Sequence, residues 1–290
     1  MRLAHFFRAA CLCTLLCCTS VASSDSGSFE SLLQQADAVR SADSSKFLAL
    51  LKDLDAQSDQ ATQLQRQRLR YLHTYRMALA GDFDGAIAEL RRLFDETNDV
   101  TVKFRAGAFL VNSFAATREF AEGLTYVDRM LELAPQVADR EIRQAGLVSV
   151  GVLYNQVGEY AMALHQAELI LAEPTSGRTR CIAEYVRLEA LFNQGDLAVD
   201  DAAIAAQIQR CVEQGETLVA EFSRGYQARK WAADGRHADA VALLRKHLAQ
   251  VEATRYPRLI GEIYSLLAEY ELALGDVASA EAHARSAIHY

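Results

Sequence analysis

Six chain reversals recur at a nearly constant interval, and that interval constrains the fold more than any other property of the sequence. They centre on Gly81, Arg118, Gly158, Gly195, Gly235 and Gly275, which lie 37 to 40 residues apart. Between them strong helix formers dominate, and continuous β-branched runs are absent. Only three prolines interrupt the chain and 51% of its residues are hydrophobic, so helices with ample core material are expected throughout. A period of this length accommodates one helix pair per repeat, and each pair buries its apolar face against its neighbours rather than in a shared centre. The sequence therefore predicts an all-α solenoid that behaves as one array, not as several domains.

The best-formed unit is "GVLYNQVGEYAMAL", residues 151–164. Its Gly151, Tyr154, Gly158, Tyr160 and Ala163 carry the spacing of a tetratricopeptide repeat, which this stretch resembles. Small residues at 151 and 163 let two antiparallel helices approach, Tyr154 fills the space between them, and Gly158 ends the first helix. Weaker copies are "AGDFDGAIAEL", "TREFAEGLTYV", with Arg118 where glycine is expected, "ADGRHADAVALL" and "LGDVASAEAHA". A fourth unit, around "NQGDLAVD", is the poorest, because "LAVDDAAIAAQI" lacks the usual loop chemistry. The period exceeds the ~34 residues of the commonest form, so longer helices or connections are expected. Upstream, "SFESLLQQADAVR" and "SSKFLALLKDLDAQ" read as a degenerate helix pair that closes the array. The predicted organisation is a leader over 1–22, this pair and its connection over 23–66, and the repeat array over 67–290, expected to be truncated at its C-terminal end.

The leader is a secretory signal peptide by pattern. "MRLAHFFR" is positively charged, "AACLCTLLCC" is apolar but shorter than the ~20 residues that span a bilayer, and Ser20 and Ala22 suit cleavage after Ala22. A periplasmic location is expected, with membrane attachment only if the leader stays uncleaved. The chain has 38 acidic and 30 basic residues, a net charge of −8, and loss of Arg2 and Arg8 with the leader makes it more acidic still. That balance argues against nucleic acid as a partner, since phosphate binding needs a concentrated basic surface. Four of the six cysteines lie in the leader, leaving Cys181 and Cys211 in a compartment that permits disulfides. The two are equidistant from the turn of the fourth unit, a placement that would let a disulfide staple the open end of that hairpin; two buried free thiols are the other reading.

No catalytic constellation emerges. The histidines are scattered, the mature chain has no HExxH or CxxC, and GxSxG, P-loop and GxGxxG motifs are missing, so neither enzyme activity, a metal site nor a cofactor is expected. A solenoid does possess a concave face lined by the first helix of each unit, where residues three or four apart form one stripe. That stripe holds Arg68, Tyr71 and Tyr75 in unit one, Arg105 and Asn112 in unit two, and Asn155 in unit three. Tyr185 and Glu189 continue it in unit four, and Arg229 in unit five. Planar donors and aromatics suit a peptide or protein segment, or a small periplasmic ligand, with Arg105 and Tyr75 as the leading candidates.

A narrower resemblance rests on "LRYLHTYRMALAGDFDGAIAEL", "FRAGAFLVN", the cysteine pair followed by "CVEQGE", and "TRYPRLIGEIYSLLAEYELALGD". These stretches are similar to the exported tetratricopeptide sensor region of bacterial membrane-bound diguanylate cyclases. In that family the array continues into a stalk, a transmembrane helix and a GGDEF catalytic domain. The present sequence has no second hydrophobic segment and no Gly-Gly-Asp-Glu-Phe motif. The resemblance therefore implies an exported recognition module without catalysis of its own; the alternative is the N-terminal fragment of such a cyclase.

Overall fold

The computed structural model describes residues 28–40 and 43–290; the expected leader over 1–22 lies outside them. Among the described residues it contains fourteen α-helices and no strand. They are α1 (Phe29–Val39), α2 (Ser44–Ala56), α3 (Gln63–Leu79), α4 (Phe83–Glu96), α5 (Val100–Thr117), α6 (Phe120–Leu133) and α7 (Arg140–Val157). The second seven are α8 (Tyr160–Leu171), α9 (Gly177–Asn193), α10 (Asp201–Glu213), α11 (Thr217–Ala233), α12 (His237–Ala253), α13 (Pro257–Ala273) and α14 (Val277–His289). The odd-numbered helices from α3 to α13 are the first helices of the six units, and α1 and α2 form the additional N-terminal pair.

Local chemistry sets the helix boundaries. Asp82, Asp99, Asp139, Ser176 and Asp276 each accept a hydrogen bond from a backbone N–H of the first turn, and Thr62 and Gln65 form a reciprocal capping box at the start of α3. The six predicted reversals all place a residue in the left-handed region. For five of them it is glycine, with φ between 79° and 86°; for the sixth it is Arg118, with φ 63°. Arg118 thus preserves the turn despite a Cβ, at a cost of about 1 kcal/mol.

Close approach of helices explains the small residues. A Cβ on Gly146 would stand 2.3 Å from Phe104 Cε1, and one on Gly151 would stand 2.8 Å from Val186 Cγ1. Both glycines lie on α7 and face neighbouring first helices, so they fix how closely α5, α7 and α9 stack. The core runs as two apolar clusters that meet at α7, whose Val150 and Leu153 belong to the N-terminal cluster and whose Val148 belongs to the C-terminal one. No helix among the described residues is long and apolar enough to cross a membrane.

Two units depart from the regular pattern. The N-terminal pair is separated from α3 by a short 3-10 turn, Ser58–Gln60, and α1 leans across α3 far enough for its Asp37 to reach Arg105 on α5. In unit four, residues 194–200 make a longer connection than the other hairpins have, in keeping with the weak loop chemistry of that stretch. There Cys181 on α9 and Cys211 on α10 are joined, with an S–S distance of 2.05 Å and a Cα–Cα distance of 5.1 Å. Toward the loop the two helices diverge around a cleft of about 210 Å³, lined by Leu188, Leu191, Val199 and Ile204 among others.

Candidate functional site: the concave face

The nine predicted stripe residues lie on the first helices α3, α5, α7, α9 and α11, and the two halves of that row are built differently. In the N-terminal half the chain's own helix α1 engages the predicted residues. Arg68 Nη1 donates to both carboxylate oxygens of Glu30, at 2.7 and 2.9 Å. Arg105 Nη2 lies 2.5 Å from Asp37 Oδ1, and its guanidinium sits 4.3 Å from the centre of the Tyr71 ring. Tyr75 is packed between Phe47 and Phe109, with ring centres 6.0 and 5.5 Å away, and Arg40 covers its face at 5.3 Å. Asn112, which is exposed, donates to Ser149 Oγ on α7 at 2.8 Å.

The electrostatics follow from this enclosure. Burial raises the energy of the charged Asp37, yet the attraction of Arg105 and Arg40 outweighs it and holds the carboxyl below its ordinary value of 3.8. The Tyr75 hydroxyl moves the other way, pushed up chiefly by burial. Arg105 and Tyr75, the leading candidates by sequence, are thus already supplied with a carboxylate and a cation by residues of α1 and the turn after it.

The C-terminal half is lined by α7, α9, α11 and the start of α13. Asn155 Nδ2 donates to Val186 O at 2.9 Å and to Glu189 Oε2 at 3.1 Å, while Asn155 Oδ1 is buried without a partner. Glu189 is only 3% exposed, and Arg258 Nη2, the cation beside it, stands 3.6 Å from Oε1. Burial therefore dominates, and the Glu189 carboxyl is pushed above its ordinary value of 4.5 in spite of the opposing pull of Arg258. Aromatic rings surround this pair. Tyr185 lies 5.9 Å from Phe222 and 6.3 Å from Tyr226, and Phe222 lies 6.1 Å from Tyr256. Burial pushes the hydroxyls of Tyr185 and Tyr226 well up, so both stay protonated donors at any physiological pH. Arg229 bonds Glu262 at 2.9 Å and sits 5.7 Å from the Tyr226 ring centre; Arg258 lies 5.8 Å from that of Phe222.

Sequence reasoning reached Asn155, Tyr185, Glu189 and Arg229 but not Phe222, Tyr226, Arg258 and Glu262. The first two share the stripe of Arg229 on α11, and the last two are four apart on α13, so carrying the stripe one helix further would have found them. Glu30 and Asp37 gave no such signal, because nothing in the period indicates that α1 crosses a whole unit. Among the described residues, no three histidine, cysteine, aspartate or glutamate side chains converge as metal ligands.

Comparison with known proteins places the fold. The chain superposes on a signal-transduction ATPase with numerous domains that carries a tetratricopeptide repeat sensor, from Pyrococcus horikoshii, with a TM-score of 0.61 and 12% identity over 91% of this chain. It spans 41% of the length of that protein. A Rap protein in complex with Competence and Sporulation Factor is similar at a TM-score of 0.60 and 12% identity, over 90% of this chain and 85% of the other. The fold is a tetratricopeptide-like helical solenoid. No protein-family profile matches the sequence, and no curated protein does.

Proposed function

We propose that the chain is an exported binding module that recognises a protein or peptide segment on its concave face and serves as the sensory part of a signalling protein, without catalysis of its own. One observation carries this: aromatic rings, buried amide and carboxylate groups and guanidinium planes follow one another from Asn155 through Tyr185 and Tyr226 to Glu262, on four successive first helices. Such a strip spaces polar anchors over four helices among rings that are themselves largely buried, and that spacing suits an extended polypeptide better than a compact metabolite. The two structural neighbours support the class of role, one having a tetratricopeptide repeat sensor in a signal-transduction ATPase and the other being complexed with Competence and Sporulation Factor. Export is supported by the leader pattern and by the joined Cys181–Cys211 pair, and the signalling context by the resemblance to cyclase-associated sensors.

The test is a photocrosslinking amino acid placed at Arg229 or Glu262, compared with one on the outward face of α10 or α12, in cells that export the protein. Captured species are identified by mass spectrometry, and the mature N-terminus is read from the same sample. Selective capture from the inner positions, on protein starting at residue 23, is the expected result. Equal capture from both faces would remove the groove from consideration.

A further inference from the structure

The two halves of the concave face contain the same kind of cell in two states of completion. In the first, the carboxylate of Asp37, the guanidinium of Arg105 and the face of Tyr71 form a tight stack, at 2.5 Å for the ion pair and 4.3 Å for the cation over the ring. That geometry is what a guanidinium between a carboxylate and an aromatic face adopts when nothing holds it back. In the second cell the carboxylate is Glu189 and the rings are Tyr185, Phe222 and Tyr226. Its resident guanidinium, Arg258, stays 3.6 Å from the carboxylate and 5.8 Å from the nearest ring it covers. The second carboxylate is the more deeply buried of the two, so it has the greater need of a close cation and the poorer supply.

Arg258 is also the member best able to leave. Its side chain is 41% exposed, whereas Arg105 is 15% exposed and enclosed by Tyr71 and Asp37. Swinging Arg258 into solvent forfeits no hydrogen bond to Glu189, because 3.6 Å is beyond one. The chain as a whole is acidic, with a net charge of −8, which favours the approach of a basic partner.

We infer that the cell around Glu189 is a recognition site for an arginine side chain of the partner polypeptide, and that Arg258 is a resident stand-in that the incoming guanidinium displaces. The planar fork of arginine can bond the Glu189 carboxylate while lying against Tyr185 and Phe222, which a lysine ammonium cannot do. Asn155, already bonded to Glu189 Oε2, holds the other carboxylate oxygen and leaves Oε1, which Arg258 approaches, for the guanidinium. This assignment rests on the binding-module reading above and adds the chemistry of one anchor to it.

The experiment titrates the intact, oxidised protein with the tripeptide acetyl-Ala-Arg-Ala-amide and with its citrulline and lysine counterparts, following backbone amide shifts by NMR. The expected order is arginine over lysine over citrulline, with citrulline weaker than arginine by about tenfold, the ratio carried by one charge-assisted hydrogen bond. Glu189→Gln should fold normally and lose the discrimination against citrulline. Arg258→Ala should bind the arginine probe several-fold more tightly, since the competitor is gone. Equal affinity for arginine and citrulline, or unchanged discrimination in Glu189→Gln, would overturn the assignment. Weaker binding by Arg258→Ala would overturn the stand-in role, by showing that Arg258 itself contacts the probe. If crosslinks from Arg229 and Glu262 still capture a partner while the probes fail to discriminate, the groove stands and only the arginine anchor falls.

Discussion

Along the row of first helices, the protein's own α1 pairs the charges of units one and two, whereas Glu189 in unit four is left without a close cation. In the first region α1 supplies Glu30 and Asp37 to Arg68 and Arg105, so charges that would otherwise point into the groove are neutralised within the chain. In the second, Glu189 is buried with an amide at 3.1 Å and a guanidinium only at 3.6 Å. Both regions have the same repeat geometry and similar side chains. The difference between them is the crossing helix: among the described residues α1 pairs with α3 and α5, and no corresponding helix pairs with Glu189. A repeat array thus sets where inward residues lie, while an element outside the repeat decides which of them remain available.

The two regions are also held together by different means, and the largest expected effect follows from that. Ion pairs tie α1 to α3 and α5, whereas the longest hairpin loop, in unit four, is backed by the Cys181–Cys211 bond. By the chain-entropy estimate, a bond closing a 30-residue separation contributes about 3–4 kcal/mol. Replacing both cysteines by serine should lower unfolding free energy by that order in denaturant titrations. Hydrogen exchange should accelerate in α9 and α10 and stay unchanged in α3 to α5; uniform acceleration would mean that the halves are not separable.

Removal of Asp37 comes next. Asp37→Ala leaves Arg105 charged, largely enclosed and without its closest partner. The expected loss is about 2–3 kcal/mol, below the usual range for a broken buried pair because the Asp37 side chain is 28% exposed. Chemical denaturation measures it, and a loss under about 0.5 kcal/mol, the scale of a surface pair, would show that α1 is not anchored by this contact.

The smallest effect has the opposite sign. Glu189→Gln removes a buried carboxylate whose charge is poorly compensated, so it should stabilise the protein at neutral pH by about 1 kcal/mol. Because the Glu189 carboxyl is raised in the folded state, its penalty is present above that raised value and disappears as pH falls toward the ordinary 4.5. The advantage of the glutamine variant should therefore shrink in acid. Asp37 behaves in reverse: its carboxyl is held below 3.8, so its contribution is full above that value and is lost only as pH falls further. An advantage of Glu189→Gln that grows on acidification would contradict the contrast drawn between the two halves.

Much of this fold could be read from local sequence. The left-handed reversals, the close approach at Gly151 and the placement of Asn155, Tyr185 and Arg229 on one stripe all depend on residues within a single unit or on the period that relates units. Even Arg118 could be assigned its turn, because the interval demanded one there. The reach of Asp37 to Arg105 could not, since it depends on the tilt of α1 across a non-adjacent helix, which no repeat template encodes. Nor could the burial of Glu189 be read from its position on α9 alone, where it looks like any carboxylate on a helix face. It is buried because Asn155 from α7 and Arg258 from α13 come to lie beside it, next to Tyr185 one turn away on its own helix. The stripe was legible, and the state of each residue along it was set by tertiary packing.

The most direct test of that contrast is a carbon-13 NMR titration of the side-chain carboxyls in the intact, oxidised protein, with Asp37 and Glu189 assigned by substitution. Glu189 is expected to titrate with a midpoint above 4.5 while Asp37, in the same sample, remains ionised to a pH below 3.8. A Glu189 midpoint at or below 4.5, or an Asp37 midpoint at or above 3.8, would show that the two halves of the concave face are not in different states of compensation.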